Sequence, residues 1–288
     1  MKKQTMIFMS GYGSNAEALL EFSTKNPEAA FEVVALVTDR PKESRTYEIA
    51  EKYRLEVIEC DIFEFYRQHG EELINLATPE RVKIRELWTA ELSRKIKSSG
   101  KQIDFILLAG FEPLSNITCE YTSLNVHPGD LTVEIDGERV FSGLGIKPIE
   151  LAIVMGNSSL RSSVIIAQSF NGKNSDIDAG PILGISEAIA IDLCGIEVDE
   201  LRAIYSERPP KLPKGYSDKL REIARKNLEK LKYFGDHTVF VQAANDYAKG
   251  NFAVDSNNNL LYKNENTFIP IKTVEYFRNG TKKIVREA

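Results

Sequence analysis

Residues 104–131 read DFILLAGFEPLSNITCEYTSLNVHPGDL and hold two short apolar runs, 105–109 and 124–126, with turn residues around the first. Runs of this length between turn signals suit strands buried on both faces, as parallel strands in α/β proteins are. The second run carries Asn125 and delivers His127 and Pro128 at its end. In open parallel sheets ligands sit just beyond the carboxyl ends of the strands. Asn125 and His127 therefore fall where chemistry is expected, on the same side of a strand whose side chains alternate.

Upstream, a β-prone run at 5–10 breaks at Gly11-Tyr12-Gly13-Ser14-Asn15 before a helical pattern over 16–22. Phe31–Thr38 and residues 56–60 read as the next strands, with a helix over 45–54 between them. Such β-α-β-α-β alternation predicts a parallel sheet with right-handed crossovers. Thr78-Pro79 supplies an N-cap and a first-turn proline for a helix through Ser98. Asp136-Gly137 between alternating apolar residues predicts a hairpin. A short helix over 148–155 and strands over 162–170 and 182–190 follow.

The composition changes after residue 191, where three prolines and many lysines and arginines suggest an excursion from the core. A basic amphipathic helix is predicted over 217–234 and a further helix over 236–249. The tail alternates weakly and reads as a small antiparallel set. The fold class is thus α/β: an open, mostly parallel Rossmann-like sheet with helices on both faces, plus a small C-terminal β-rich extension. Three segments are expected, namely a core over 1–191, an insertion with a basic helix over 192–235, and a core helix with the β extension over 236–288.

The chain has 288 residues, 42% hydrophobic and 27% charged, with net charge −5. That composition suits a globular protein with a substantial core. The acidic balance argues against a general nucleic-acid surface, so the 217–232 helix reads first as a solvated face and only second as a polyanion site. The short apolar run before Gly11 is too brief for a signal-peptide core or a membrane span, so a cytoplasmic location without membrane contact is expected. Cys60, Cys119 and Cys194 are odd in number and lack metal-ligand spacing. All three read as buried thiols, and no metal is expected.

Three constellations bear chemistry. Gly11-x-Gly13-x-x-Ala16, between strand and helix, lets the backbone approach an anion at a helix start. It also fits a loose dinucleotide fingerprint with Asp39 as the ribose acid, or a plain turn with Ser14 or Asn15 as N-cap. Asn125 and His127 pair an amide with an imidazole, groups that can stabilise an oxyanion or move a proton at a carbonyl carbon. Asp178, before Gly180-Pro181, is a carboxylate able to orient an imidazole, or a turn residue. No G-x-S-x-G, Walker or H-E-x-x-H pattern occurs.

In this order, Gly13-Ser14-Asn15, LLAGF at 107–111, LNVHP at 124–128 and Asp178-x-Gly180-Pro181 resemble the folate-dependent formyltransferases, most of all the phosphoribosylglycinamide branch. The resemblance covers about residues 5–190 and implies the formyltransferase fold with Asn125, His127 and Asp178 as catalytic residues. It implies 10-formyltetrahydrofolate as co-substrate, with Phe111, Leu114, Asp176 and Ile177 at the folate. Gly11, Gly13, Ser14, Asn15 and Asp236 would hold a small phosphorylated amine, in one-carbon metabolism and purine biosynthesis. A homo-oligomer is compatible with it.

The chain departs from the family pattern in several places. Gly129-Asp130-Leu131 replaces the usual Ser-Leu-Leu after His-Pro, Glu112-Pro113 replaces Met-Arg after LAGF, and Asp236 stands for a glutamate. These departures leave open a sugar amine or methionyl-tRNA as acceptor, a formyltetrahydrofolate hydrolase, and a non-catalytic nucleotide-binding module.

Overall fold

The computed structural model describes residues 1–170, 178–213 and 215–286. The chain forms two compact units. One comprises residues 1–126, 166–180 and 244–251; the other comprises 127–165, 181–243 and 252–288.

The first unit is the α/β half. Its elements run β1 (Lys3–Phe8), α1 (Ser14–Lys25), β2 (Phe31–Thr38), α2 (Thr46–Tyr53), β3 (Glu56–Glu59), α3 (Ile62–Gln68), α4 (Pro79–Ser98), β4 (Phe105–Leu108) and β5 (Ser123–His127), whose last residue falls in the second unit. All pairings among these strands are parallel, in the order β5-β4-β1-β2-β3. The order reverses between β1 and β4, and that reversal opens a crevice at the carboxyl ends of those two strands.

One face of this sheet presents Met6, Phe8, Ala35, Val37 and Ile106 to Tyr66 of α3 and to Ile84, Trp88, Leu92 and Ile96 of α4. The helical residues recur at steps of four, so one stripe of α4 covers the strands. Trp88 keeps its indole N–H satisfied on the Cys60 carbonyl at 3.0 Å. The expected cap holds: Thr78 Oγ1 accepts from Arg81 N, with Pro79 in the first turn.

The second unit continues with the hairpin β6 (Glu134–Ile135) and β7 (Glu138–Arg139), then α5 (Lys147–Val154), β8 (Ser159–Leu160), β9 (Ser163–Ile166), β10 (Ile182–Ser186) and β11 (Ile189–Ala190). Next come α6 (Val198–Ser206), α7 (Lys219–Leu231), a π-helical turn (Lys232–Asp236) and α8 (His237–Ala248), which runs on into the first unit. The tail holds β12 (Phe252–Val254), β13 (Leu260–Asn264), β14 (Thr267–Pro270), β15 (Thr273–Tyr276) and β16 (Lys282–Val285). Asp136 and Gly137 both take positive φ, as a two-residue hairpin turn requires.

Three expectations need correction. The strand read over 182–190 is two strands, because β10 pairs with β9 and β11 with β8. The tail is antiparallel only in part: β12, β13 and β14 form a small sheet, whereas β15 joins β10 in parallel. Pro209, Pro210 and Pro213 are exposed, while on either side of them Leu201 of α6 and Leu220, Ile223, Ala224 and Leu231 of α7 are buried with Ile149 and Ile153 of α5. Of the cysteines only Cys60 is buried, its thiol pushed up to about 12 by burial, while Cys119 and Cys194 are exposed. Among the described residues no helix is long and apolar enough to cross a membrane.

Candidate active site

The crevice between β1 and β4 is tied together by Ser10. Its backbone N–H donates to the Gly110 carbonyl at 3.1 Å, and its hydroxyl donates to Asp39 Oδ1 at 2.6 Å while accepting from Glu112 N at 2.9 Å. Asp39 is fully buried; burial pushes its carboxyl up to about 6, against the Ser10 hydrogen bond and the charge of Arg40. Arg40 lies 3.6 Å from Asp39 and pairs with Glu112 at 2.6 Å. Asp39 is therefore a buried joint between two loops, where the glycine pattern alone suggested a ribose-binding acid.

The glycine turn follows at once. Gly13 has φ 78°, and a Cβ there would lie 2.6 Å from both Met9 Cε and Ile49 Cδ1, so glycine is favoured by backbone and space alike. Neither Ser14 nor Asn15 is the N-cap: Gly13 occupies that position and has no side chain with which to cap α1. An uncapped helix start carries the positive end of the peptide dipoles. Glu17 in the first turn answers part of that charge and pairs with Arg45 at 3.3 Å and Lys52 at 2.9 Å. Arg45 also donates to the Tyr12 carbonyl and stands 4.5 Å from the Tyr12 ring centroid. Gly11 has open space where a Cβ would be.

Asn125 and His127 sit at the end of β5, Asn125 half-buried opposite Leu108 of β4 and His127 4% exposed. His127 Nε2 lies 2.6 Å from the Phe141 carbonyl oxygen. A carbonyl only accepts, so Nε2 carries the proton and Nδ1 is the ring's remaining acceptor in the neutral form. Gly129 makes this contact possible: a Cβ there would come within 2.5 Å of the Phe141 oxygen and 2.8 Å of His127 Nε2. The following turn is fixed by Ser163, whose hydroxyl donates to the Gly129 carbonyl at 2.7 Å and accepts from Leu131 N at 3.0 Å. The departure at Gly129 is thus built into the histidine's setting.

The remaining candidates lie as follows. Asp178, in the first unit, is half-buried with φ 59°. Asp236 closes the π-helical turn, 3% exposed, and accepts from the Ser162 hydroxyl at 2.5 Å. Beside it His237 is held below the usual imidazole range by burial, in spite of the Asp236 charge. Phe111 packs edge-on to Phe8 at 5.2 Å and parallel to Trp88 at 6.2 Å. Leu114 lines a 520 Å³ cleft with Arg85, Thr89, Asn116 and Phe170. Asp176 and Ile177 lie outside the described residues. One strand brings Asn125 and His127 together.

The sequence reading missed Ser10, Arg40, Arg45 and Phe141. Serines and arginines in loops carry no periodic signal, and Phe141 acts through its carbonyl, which any residue supplies. Among the described residues no group of histidine, cysteine and carboxylate side chains could hold a metal ion.

This architecture is the fold of folate-dependent formyl-transfer enzymes. Glycinamide ribonucleotide transformylase 1 from Symbiobacterium toebii superposes with TM-score 0.57 at 18% identity, covering 91% of this chain and 95% of that one. The phosphoribosylglycinamide formyltransferase of Coxiella burnetii gives 0.58 at 16% identity, covering 91% and 94%. A formyltetrahydrofolate deformylase from Pseudomonas syringae pv. tomato gives 0.55 at 13% identity, covering 92% of this chain and 67% of that one. No protein-family model and no curated protein sequence matches the chain.

Proposed function

We propose that this protein moves the formyl group of 10-formyltetrahydrofolate to a primary amine, phosphoribosylglycinamide or a similar phosphorylated amine. The observation that carries the reading is the pair Asn125 and His127 at one strand end, with His127 Nε2 committed to the Phe141 carbonyl. The folate, when bound, supplies the formyl carbon. Asn125 donates its amide N–H to the negative charge that develops on the formyl oxygen when the amine attacks. His127 works through Nδ1, which donates to that oxygen when the ring is charged and takes the amine proton when it is neutral. Asp178 completes the trio as the carboxylate that favours the charged ring and passes the proton to the departing nitrogen.

The uncapped start of α1, with Gly11, Gly13, Ser14 and Asn15, serves as the phosphate cradle. Asp236 takes the part of the family's glutamate as a contact to the amine-bearing substrate. The cleft beside Leu114, together with Phe111, Asp176 and Ile177, takes the folate. The work is cytoplasmic one-carbon transfer in purine biosynthesis. One other reading, in which water accepts the formyl group, rests on the altered residues after Pro128, where the acceptor-side sequence of the family is replaced.

Incubating the protein with 10-formyltetrahydrofolate and a panel of phosphorylated amines, and following the folate product by absorbance, tests this. Amine-dependent turnover supports transfer. Formate release at the same rate without amine supports hydrolysis, and no turnover under either condition overturns both.

A further inference from the structure

We infer that the second unit carries a separate binding site for a small phosphorylated metabolite with a flat apolar body, in a 750 Å³ cleft between α5, α6 and the proline-rich loop before α7. A cleft of that size matches a nucleotide-sized ligand and far exceeds a lone phosphate.

The chemistry of the walls selects the ligand. Two arginines line the cleft, and both are already engaged. Arg208 reaches Asp218 at 2.7 Å and Glu150 at 3.0 Å, and Arg221 reaches Glu150 at 2.9 Å. The four side chains are 4–15% exposed and their charges cancel. Although burial opposes its ionisation, Arg208 and the Arg221 backbone N–H hold Asp218 down to about 2. These forks are the groups that would grip a planar carboxylate in two places, and they are spent.

Two ammonium groups remain. Lys147 and Lys211 line the same cleft, both exposed, and among the described residues neither pairs with a carboxylate. Lys147 opens α5, so the helix start adds partial positive charge beside it. Compact point charges without a fork suit a phosphate group, with its several oxygens and double charge. The apolar body has its own wall in Tyr205, 43% exposed, with Pro209 and Pro210. The Arg208 guanidinium lies 5.3 Å from the Tyr205 ring centroid and holds that ring in place.

The site stands whether or not the protein transfers formyl groups. Calorimetric titration of the full chain with adenosine 5′-monophosphate, adenosine and inorganic phosphate tests it, beside a Lys147→Gln/Lys211→Gln double variant with an unchanged unfolding midpoint. The inference requires that the monophosphate bind at least about fivefold tighter than either fragment, and at least about fivefold weaker to the double variant. Smaller ratios in either comparison overturn it, as does absence of monophosphate binding up to about 10 mM. Binding that survives in the double variant would place the nucleotide at another site, such as the glycine turn, and contradict the assignment.

Discussion

His127 donates its Nε2 proton to the backbone carbonyl of Phe141 across 2.6 Å, and Gly129 is what lets the two approach. A methyl group at residue 129 would stand 2.5 Å from that carbonyl. Gly129→Ala is therefore expected to cost about 1–3 kcal/mol in urea unfolding, the usual range for overpacking a tight site. It should also disturb the tautomer, so that nitrogen NMR of the labelled imidazole no longer finds the proton fixed on Nε2. An unchanged stability and tautomer would mean that the turn relaxes freely.

Asp39 gives a pH signature. Its carboxyl ionises near 3.8 in a free chain and near about 6 when folded, so between those values the folded chain holds more protons. The contribution from the protonated group is complete below about 3.8 and is lost as pH rises through about 6. Asp39→Asn abolishes the dependence. The stability of the variant minus that of the parent should thus rise by about 3 kcal/mol between about pH 4 and about pH 7. A difference that stays flat over that range would refute the burial account of this group.

Glu150 is the hub of a buried ion network, shared between Arg208 and Arg221. Removing it leaves two guanidinium groups with less counter-charge in a poorly hydrated setting. Glu150→Ala is expected to destabilise the protein by about 3–5 kcal/mol, measured by denaturant unfolding.

The strands were readable where burial on both faces makes a continuous apolar run, as at 33–37 within β2 and in Phe105–Leu108. The α4 start was readable because Thr78 and Pro79 act through local geometry. What escaped depends on distant partners. The place of β15 beside β10 is set by pairing across many residues of chain, and its short run carries no mark of it. The helix α6 was missed because only Leu201 in it is deeply buried, whereas α7 was readable as an amphipathic helix from the spacing of its apolar residues. Asn125 and His127 stood out as functional groups at a strand end. The carbonyl that orients the histidine did not, since backbone atoms leave no trace in residue type.

The most direct test of the formyl-transfer reading is the rate at which 10-formyltetrahydrofolate is consumed in the presence of a phosphorylated amine acceptor, compared between the parent protein and folded His127→Ala, Asn125→Ala and Asp178→Asn variants. Steady turnover by the parent and a loss of about 100-fold or more in each variant are expected, the scale on which a positioned acid–base or oxyanion group acts. Turnover that persists at the parental rate without the imidazole of His127 would contradict that reading.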